Sequence, residues 1–165
     1  MAAAFKLAQI LVLFGSLAPP GVAAETADLS IHFRAHGRSM EVAPGRLYWS
    51  GIYWGGSFNN AGDGFGHKAA WSCPTISEIV DGAVAGQGYC AMTDADGDKV
   101  FGRFDGRGRI DGLFEGDQRY SGGTGKYAGI EGGHRFQCET FNITPRDGSI
   151  VELSCFYEVA YTLPK

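Results

Sequence analysis

The segment IVELSCFYEVAYTL, residues 150–163, decides the fold class, because its alternate positions differ in polarity along its whole length. One set of positions is apolar: Val151, Leu153, Cys155, Tyr157, Val159, Tyr161 and Leu163. The other set is largely polar and includes Glu152, Ser154 and Glu158. A repeat of two residues is typical of a β-strand that buries one face. Residues 28–36 repeat the pattern, so the sequence predicts a half-buried strand near each end of the chain.

The remaining strands follow from the spacing of apolar runs and of Asp-Gly pairs. Asp-Gly pairs at 96–97, 105–106, 111–112 and 147–148 are expected to form tight turns, because glycine adopts positive φ without steric cost. Further strands are expected at 47–58, 68–75, 88–93, 99–104, 112–120 and 134–143, and a helical turn at 77–84. About eight successive antiparallel strands favour a closed or nearly closed barrel, which leaves no exposed sheet edge. A flattened sandwich is the alternative.

The first 24 residues have the features of a secretory signal peptide. Lys6 gives a positive start, residues 7–17 are mostly apolar, and Val22 and Ala24 fit the small-residue cleavage rule. After them, no apolar stretch reaches the roughly 18 residues that suggest a membrane-spanning helix. We therefore expect an exported protein, periplasmic or secreted, with one soluble barrel domain over residues 25–165 and no membrane span.

The charge balance and the cysteines limit the kinds of partner and site. Lys and Arg number 14 against 18 Asp and Glu, and no basic cluster could follow phosphates, so a nucleic-acid partner is not expected. Four cysteines in an exported chain are expected to form disulfides. Cys73 and Cys90, and likewise Cys138 and Cys155, are 17 residues apart, which suits neighbouring strands and favours these two pairs.

Possible metal ligands do not form a recognisable site. Zinc would favour Cys-x-x-Cys pairs, which are absent. Residues 94–98, DADGD, match the first half of a calcium loop, but Lys99 stands where that loop needs glycine and Asp105 where it needs glutamate. His32 and His36 would lie about 13 Å apart on one strand face, too far to share a metal. We therefore expect a plain turn at 96–97, solvent-facing histidines and no metal.

The glycine-rich stretch YSGGTGKYAGIEGG, residues 120–133, resembles a nucleotide-binding loop but lacks its required parts. Tyrosines occupy the positions where a phosphate loop needs glycine and serine or threonine. No strand-helix-strand unit surrounds the loose dinucleotide pattern. No serine-hydrolase elbow or zinc-protease motif occurs either. We therefore expect no cofactor and assign no catalytic residue.

The direction of the cysteines predicts polar groups in the interior. If Cys155 lies on the apolar face of its strand and bridges Cys138 across a hairpin, Cys138 also points inward. Positions at a two-residue period from Cys138 then share that direction. The candidate ligand-binding residues are His134, Thr140 and Asn142, with Tyr157 and Tyr161 on the neighbouring strand. A few polar groups among apolar walls are typical of small-molecule pockets. The alternative is that a bulge shifts the register or the bridge lies outside, leaving these residues solvated.

Two motifs carry a family resemblance: GGTGKYAGIEG at 122–132 and GYCAMTDADGDK at 88–99. Together they resemble small exported bacterial proteins of unknown function. The GGTGKYAG element also resembles a segment of the allene oxide cyclase-like and dirigent barrels. The resemblance implies an eight-stranded, calycin-like barrel and a motif that closes a turn between two strands, but no catalytic residue. The implied turn residues are Gly122, Gly123, Thr124, Gly125, Lys126, Tyr127 and Gly129.

Three functions are compatible with this pattern. The leading hypothesis is a non-enzymatic barrel that binds a small, partly apolar molecule; no protein partner is assigned. The second is a cyclase or isomerase that confines a reactive substrate, which would need a carboxylate or another polar trigger inside. The third is a structural envelope protein with a packed barrel. The aromatic residues Trp49, Tyr53 and Trp54 could plug a barrel as readily as line one, so the sequence does not separate the three.

Overall fold

The computed structural model describes residues 23–144 and 150–164, which form a closed antiparallel barrel. The strands are β1 Glu25–Ala43, β2 Arg46–Asn59, β3 Ala69–Val80, β4 Ala83–Thr93, β5 Lys99–Arg109, β6 Leu113–Gly123, β7 Glu131–Thr144 and β8 Ile150–Thr162, with a short 3-10 helix, Gly125–Tyr127, before β7. Each strand pairs with its neighbours in sequence, and β1 closes the barrel by pairing with β8. The predicted fold class is therefore confirmed.

The alternation that predicted the terminal strands matches their burial. In β1, Leu29, Ile31 and Phe33 are buried, and the residues between them are exposed. In β8, Leu153 and Val159 are buried in the same way. The apolar set of each strand faces the interior, because only one face of a barrel wall is shielded from water. These two strands then pair directly with one another to close the barrel.

The predicted helical turn at 77–84 is wrong, because these residues form the β3–β4 hairpin. Asp81 and Gly82 have φ angles of 51° and 79°. Positive φ at both central residues is the geometry of a two-residue hairpin turn, and Asp-Gly is its preferred sequence. Ile79 and Val84 face each other across this turn. Asp81-Gly82 was therefore a further Asp-Gly turn signal that the sequence prediction did not use.

The predicted turn at 105–106 is also wrong, because both residues lie inside β5. Gly106 pairs with Gly116 of β6. A Cβ atom at Gly106 would lie 2.7 Å from the ring of Phe114, so glycine here provides room for an aromatic side chain. The Asp-Gly pairs at 96–97 and 111–112 do form turns. The pair at 147–148 and residues 1–22 of the expected signal peptide lie outside the described residues.

Both predicted disulfides are confirmed. Cys73–Cys90 joins β3 to β4, and Cys138–Cys155 joins β7 to β8. All four cysteines are buried, so the bridges lie on the inner face of the barrel wall. Each bridge ties together two adjacent strands near their middle, on two different sides of the barrel.

One half of the interior is filled by side chains, and we call it the closed end. The largest fully buried side chains lie there: Trp71, Leu29, Met92 and Val100. The loop at 60–68 covers this end and inserts Phe65, whose ring centroid lies 4.6 Å from that of Tyr161 and 5.6 Å from that of Tyr127. Ser57 Oγ accepts a hydrogen bond from the buried Trp71 indole at 2.8 Å and donates one to the Gly66 carbonyl at 2.6 Å. The loop is thus fixed to the core.

Candidate ligand-binding cavity

A cavity of about 300 Å³ occupies the other half of the barrel interior. Its mouth lies where the β1–β2, β3–β4 and β5–β6 hairpins turn, beside Leu47, Val84 and Ile110, and we call this the open end. Arg109 is part of the lining and its side chain is 57% exposed, so the cavity reaches the surface here. Small-molecule sites commonly have volumes of about 300 to 1,000 Å³, so this cavity suits a compact ligand.

Aromatic rings form much of the cavity wall. The aromatic lining residues are Phe33, Trp49, Tyr53, Phe104, Phe114, Phe136 and Tyr157. The rings also contact one another: Phe33 meets Tyr53 edge-on at 6.2 Å between centroids, and Phe114 stacks on Phe136 at 5.7 Å. Such pairs are favourable beyond their burial and hold the rings in place. The wall is therefore apolar and well ordered.

Glycines on the inner face give these rings room. The Trp49 indole lies against Gly37 and Gly51, where an added Cβ atom would come within 2.3 Å and 2.5 Å of it. Phe114 lies against Gly106 in the same manner, at 2.7 Å. Such distances are far below van der Waals contact, so a larger residue at any of these positions would displace the ring.

Two tyrosine hydroxyls on the cavity wall have no partner among the described residues. Tyr53 on β2 and Tyr157 on β8 line the cavity, and neither side chain hydrogen-bonds to any part of the chain that the structure describes. Burial raises the pKa of Tyr53 to about 12 and raises the pKa of Tyr157 as well. Because both hydroxyls stay protonated at neutral pH, each can donate a hydrogen bond to a ligand.

Besides the tyrosines, the polar side chains of the described lining are Ser39, Thr75, Ser77, Arg109, Gln118 and Thr140. Gln118 is 3% exposed and lies at the floor, with its side-chain amide against Gly102 of β5. Thr75 donates a hydrogen bond to the Cys73 carbonyl at 3.0 Å. At the mouth, Arg109 Nε lies 3.2 Å from Asp111 Oδ1. Among the described residues that line the cavity, none is Asp or Glu. Within the described lining, the one charged side chain is therefore that of Arg109, at the mouth.

His134 lies deeper than the cavity, beside its floor. Its ring stacks on that of Tyr157, with centroids 4.1 Å apart and planes 19° apart. Nδ1 lies 3.3 Å from the Tyr120 hydroxyl, whereas Nε2 is buried without a partner in the described part of the chain. Burial lowers the pKa of His134 to about 3, so the imidazole is neutral. His134 is not among the described lining residues, and it supports one of them, Tyr157.

Two of the predicted ligand-binding residues share the cavity, and a third lies at the opposite end. Thr140 and Tyr157 both line the cavity. Tyr161 packs at the closed end, where its hydroxyl donates a hydrogen bond to Glu25 Oε2 at 2.6 Å. Tyr161 therefore faces the interior, as its strand period predicts, but lies in the half of the barrel away from this cavity.

The fifth predicted residue, Asn142, follows an irregularity in β7. The ladder between β7 and β8 shifts between Thr140 and Asn142, so that Asn142 pairs with Glu152. The side chain of Asn142 lies outside the described part of the structure. A strict two-residue period is interrupted here, and it cannot be used to assign the direction of residues beyond the shift.

The glycine-rich motif lies between β6 and β7 at the closed end, where it contacts the acidic turn at 94–98. Lys126 Nζ lies 2.6 Å from Asp94 Oδ2 and 2.7 Å from Asp96 Oδ2. The Lys126 backbone N–H donates to Asp98 Oδ2 at 3.1 Å. We call this set of contacts the Lys126 latch. Of the motif residues, Gly122 and Gly123 end β6, and the connection to β7 contains Thr124, Gly125, Lys126, Tyr127 and Gly129.

The carboxylates that resemble a calcium loop are therefore bound to an ammonium group. Burial would raise the pKa of Asp94, but hydrogen bonds from Lys126 and from the backbone of Asp96 and Asp98 outweigh it and lower that pKa. No group of three or more metal-ligating side chains occurs within the residues described. His32 and His36 are exposed on β1, as predicted. In residues 23–144 and 150–164, no helix has the length and apolarity needed to cross a membrane.

The sequence analysis did not predict the cavity residue Gln118, and it did not decide whether Trp49, Tyr53 and Trp54 face the interior. Gln118 was missed because a polar residue inside a glycine-rich strand gives no apolar alternation. Its position four residues after Phe114, on the same face of β6, is the signal that could have placed it. Trp49 and Tyr53 line the cavity, whereas Trp54 is 53% exposed on the outer face.

Comparison with known proteins gives two similar solved structures. No protein-family model matches the chain, and no curated protein matches it. The pterocarpan synthase dirigent protein GePTS1 has a TM-score of 0.48 and 12% identity, covering 93% of this chain and 100% of that chain. The pterocarpan synthase dirigent protein PsPTS1 has a TM-score of 0.41 and 14% identity, covering 84% of this chain and 96% of that chain. The strand pairing of this chain by itself shows a closed barrel.

Proposed function

We propose that this protein is an exported, non-enzymatic binder of a small, partly apolar molecule, which it holds in the cavity at the open end. The observation that carries the proposal is an aromatic-walled cavity of about 300 Å³ with unpaired tyrosine hydroxyls. Burial of apolar ligand surface contributes roughly 25 cal/mol per Å². A few polar groups then orient the ligand. Two internal disulfides support export, because such bonds persist in oxidising compartments.

Two other functions have less support. A cyclase or isomerase that uses a carboxylate as its trigger would need Asp or Glu in the cavity, and neither lies among the described lining residues. A structural protein with a packed barrel would have side chains throughout its interior, whereas side chains fill the closed end and a cavity remains at the other. Ligand binding is the function that uses both the apolar wall and the unpaired hydroxyls.

The test is to fill the cavity and to ask whether binding is lost. Prodan, an uncharged naphthalene dye whose emission shifts to the blue in apolar surroundings, serves as the probe. Val84 lines the mouth and Ala85, the next residue of β4, is exposed, so Val84→Trp and Ala85→Trp form a matched pair. The wild type and Ala85→Trp should shift the emission, and Val84→Trp should not.

Circular dichroism and thermal melting establish that each variant retains the fold. An unchanged emission spectrum with the wild type would argue against a ligand-binding cavity. An equal blue shift with folded Val84→Trp and with Ala85→Trp would place the dye elsewhere and count equally against the proposal.

A further inference from the structure

The rings of the two cavity tyrosines lie near the same phenylalanine of the wall. Tyr53 and Tyr157 lie on strands on either side of β1, and their ring centroids are 6.2 Å and 6.4 Å from that of Phe33. Neither tyrosine hydroxyl is among the fully enclosed side-chain atoms that lack a partner in the described residues, so each keeps some accessible surface. A ligand that fills the cavity displaces water from these hydroxyls and leaves each without a hydrogen-bond partner. A ligand with an acceptor atom replaces the lost hydrogen bond.

The cavity offers little to balance a charge on a ligand. Its described lining contains a single charged side chain, that of Arg109, which lies at the mouth beside Asp111. Moving a charged group into an apolar interior without a partner is strongly unfavourable. Burial also keeps the Tyr53 and Tyr157 hydroxyls neutral, because it raises their pKa. An uncharged ligand therefore suits the floor of the cavity.

The shape of the wall favours a ring as the body of the ligand. Phe104, Phe114 and Phe136 contribute flat apolar faces or edges, with Phe104 meeting Phe136 edge-on at 6.1 Å and Phe114 stacked on Phe136 at 5.7 Å. Aromatic rings pack on such surfaces in offset-stacked or edge-on geometry. We infer, on the basis of the proposed function, that the ligand is an uncharged carbonyl compound with a compact ring body, whose oxygen accepts a hydrogen bond from Tyr53 or Tyr157.

The test compares three ligands of similar size: ethylnaphthalene without an acceptor, acetylnaphthalene with a carbonyl, and naphthoate with a charge. Their affinities are measured by displacement of prodan from the intact mature chain. Acetylnaphthalene should bind about threefold to tenfold more tightly than ethylnaphthalene, the range expected for one neutral hydrogen bond. Naphthoate should bind at least about tenfold more weakly than acetylnaphthalene, because its carboxylate must leave water.

Removal of the two hydroxyls should abolish the preference and keep the apolar binding. In Tyr53→Phe/Tyr157→Phe, the ratio of acetylnaphthalene to ethylnaphthalene affinity should fall below about twofold, with ethylnaphthalene affinity unchanged. Tyr89→Phe, at a tyrosine that is 63% exposed on the outer face, is the matched control and should keep the preference.

Each alternative outcome has a separate meaning. Equal binding of the acetyl and ethyl compounds by the wild type, or a preference that survives in the double variant, overturns the inference and leaves the binding function standing. Tight binding of naphthoate also overturns it. If none of the three compounds displaces prodan and Val84→Trp binds prodan normally, the proposed function fails and the inference fails with it.

Discussion

Reduction of both disulfides should lower the free energy of unfolding by about 6 kcal/mol, judged from the loops that they close. Each bridge joins cysteines that are 17 residues apart in sequence. In the chain-entropy model, a crosslink of that span lowers the conformational entropy of the unfolded chain and so raises its free energy by about 3 kcal/mol at 25 °C. The loops 73–90 and 138–155 do not overlap, so their effects should add. Domains are commonly stable by about 5 to 15 kcal/mol, so the loss is a large share of the total.

The assay is urea unfolding followed by tryptophan fluorescence, with and without a phosphine reductant. Trp71 is 2% exposed and reports on the closed end. Cys73→Ala/Cys90→Ala and Cys138→Ala/Cys155→Ala each retain one bridge and should lose about 3 kcal/mol before reduction and about 3 kcal/mol more after it. Far-UV circular dichroism gives a second probe of the same transition.

Free energies of unfolding within about 1 kcal/mol of each other for the oxidised and reduced proteins would contradict the loss that loop closure predicts. A large loss for one pair and none for the other would also contradict it, because both loops have the same length. The slope of the free energy against urea should rise on reduction, since the unfolded chain becomes more expanded.

Two further predictions concern ionisable groups. The pKa of His134 is lowered from 6.5 to about 3, so the unfolded chain binds a proton that the folded chain does not. The free energy of unfolding should therefore fall by about 1.4 kcal/mol per pH unit as the pH decreases from 6.5 towards 3. Urea unfolding at several pH values should show a weaker pH dependence for His134→Phe than for the wild type. The same pH dependence in both proteins would contradict this prediction. Lys126→Met removes the ion pairs to Asp94 and Asp96 and, because Lys126 is 48% exposed, should cost about 1 kcal/mol or less. Thermal melting should show this loss at low salt and a smaller loss at high salt. Lys99→Met is the control and should leave the melting temperature unchanged. Equal melting temperatures for the two variants would count against the Lys126 latch.

The sequence predicted those parts of the fold in which one strand face is dry and the other wet. The alternation at 150–163 identified β8 and its inward face, because burial in a barrel wall follows the two-residue period. The disulfide pairs followed from their equal spacing, and Cys138 is the direct ladder partner of Cys155. Strand number and closure then followed from counting strands and turns.

The sequence did not reveal the parts in which glycine replaces an apolar residue on the inner face. In β4 and β5, Gly86, Gly88 and Gly106 occupy inward positions, so apolar alternation ends early and the strands were predicted too short. The cavity residue Gln118 was not predicted for the same reason, because Gly116 interrupts the apolar pattern of its strand. Local sequence also does not report the ladder shift before Asn142, because the shift depends on how β7 meets β8.

Because aromatic rings of the wall pack against glycines, a substitution at one of these glycines would change the size of the cavity. A methyl group added at Gly51 or Gly106 would press on the ring of Trp49 or Phe114 and on a backbone carbonyl of the neighbouring strand, so both would have to shift. The packed closed end and the two disulfides would still stabilise the barrel while the cavity became smaller. Under the proposed function, single substitutions at these glycines would change which ligands fit the cavity, with every side chain of the wall retained.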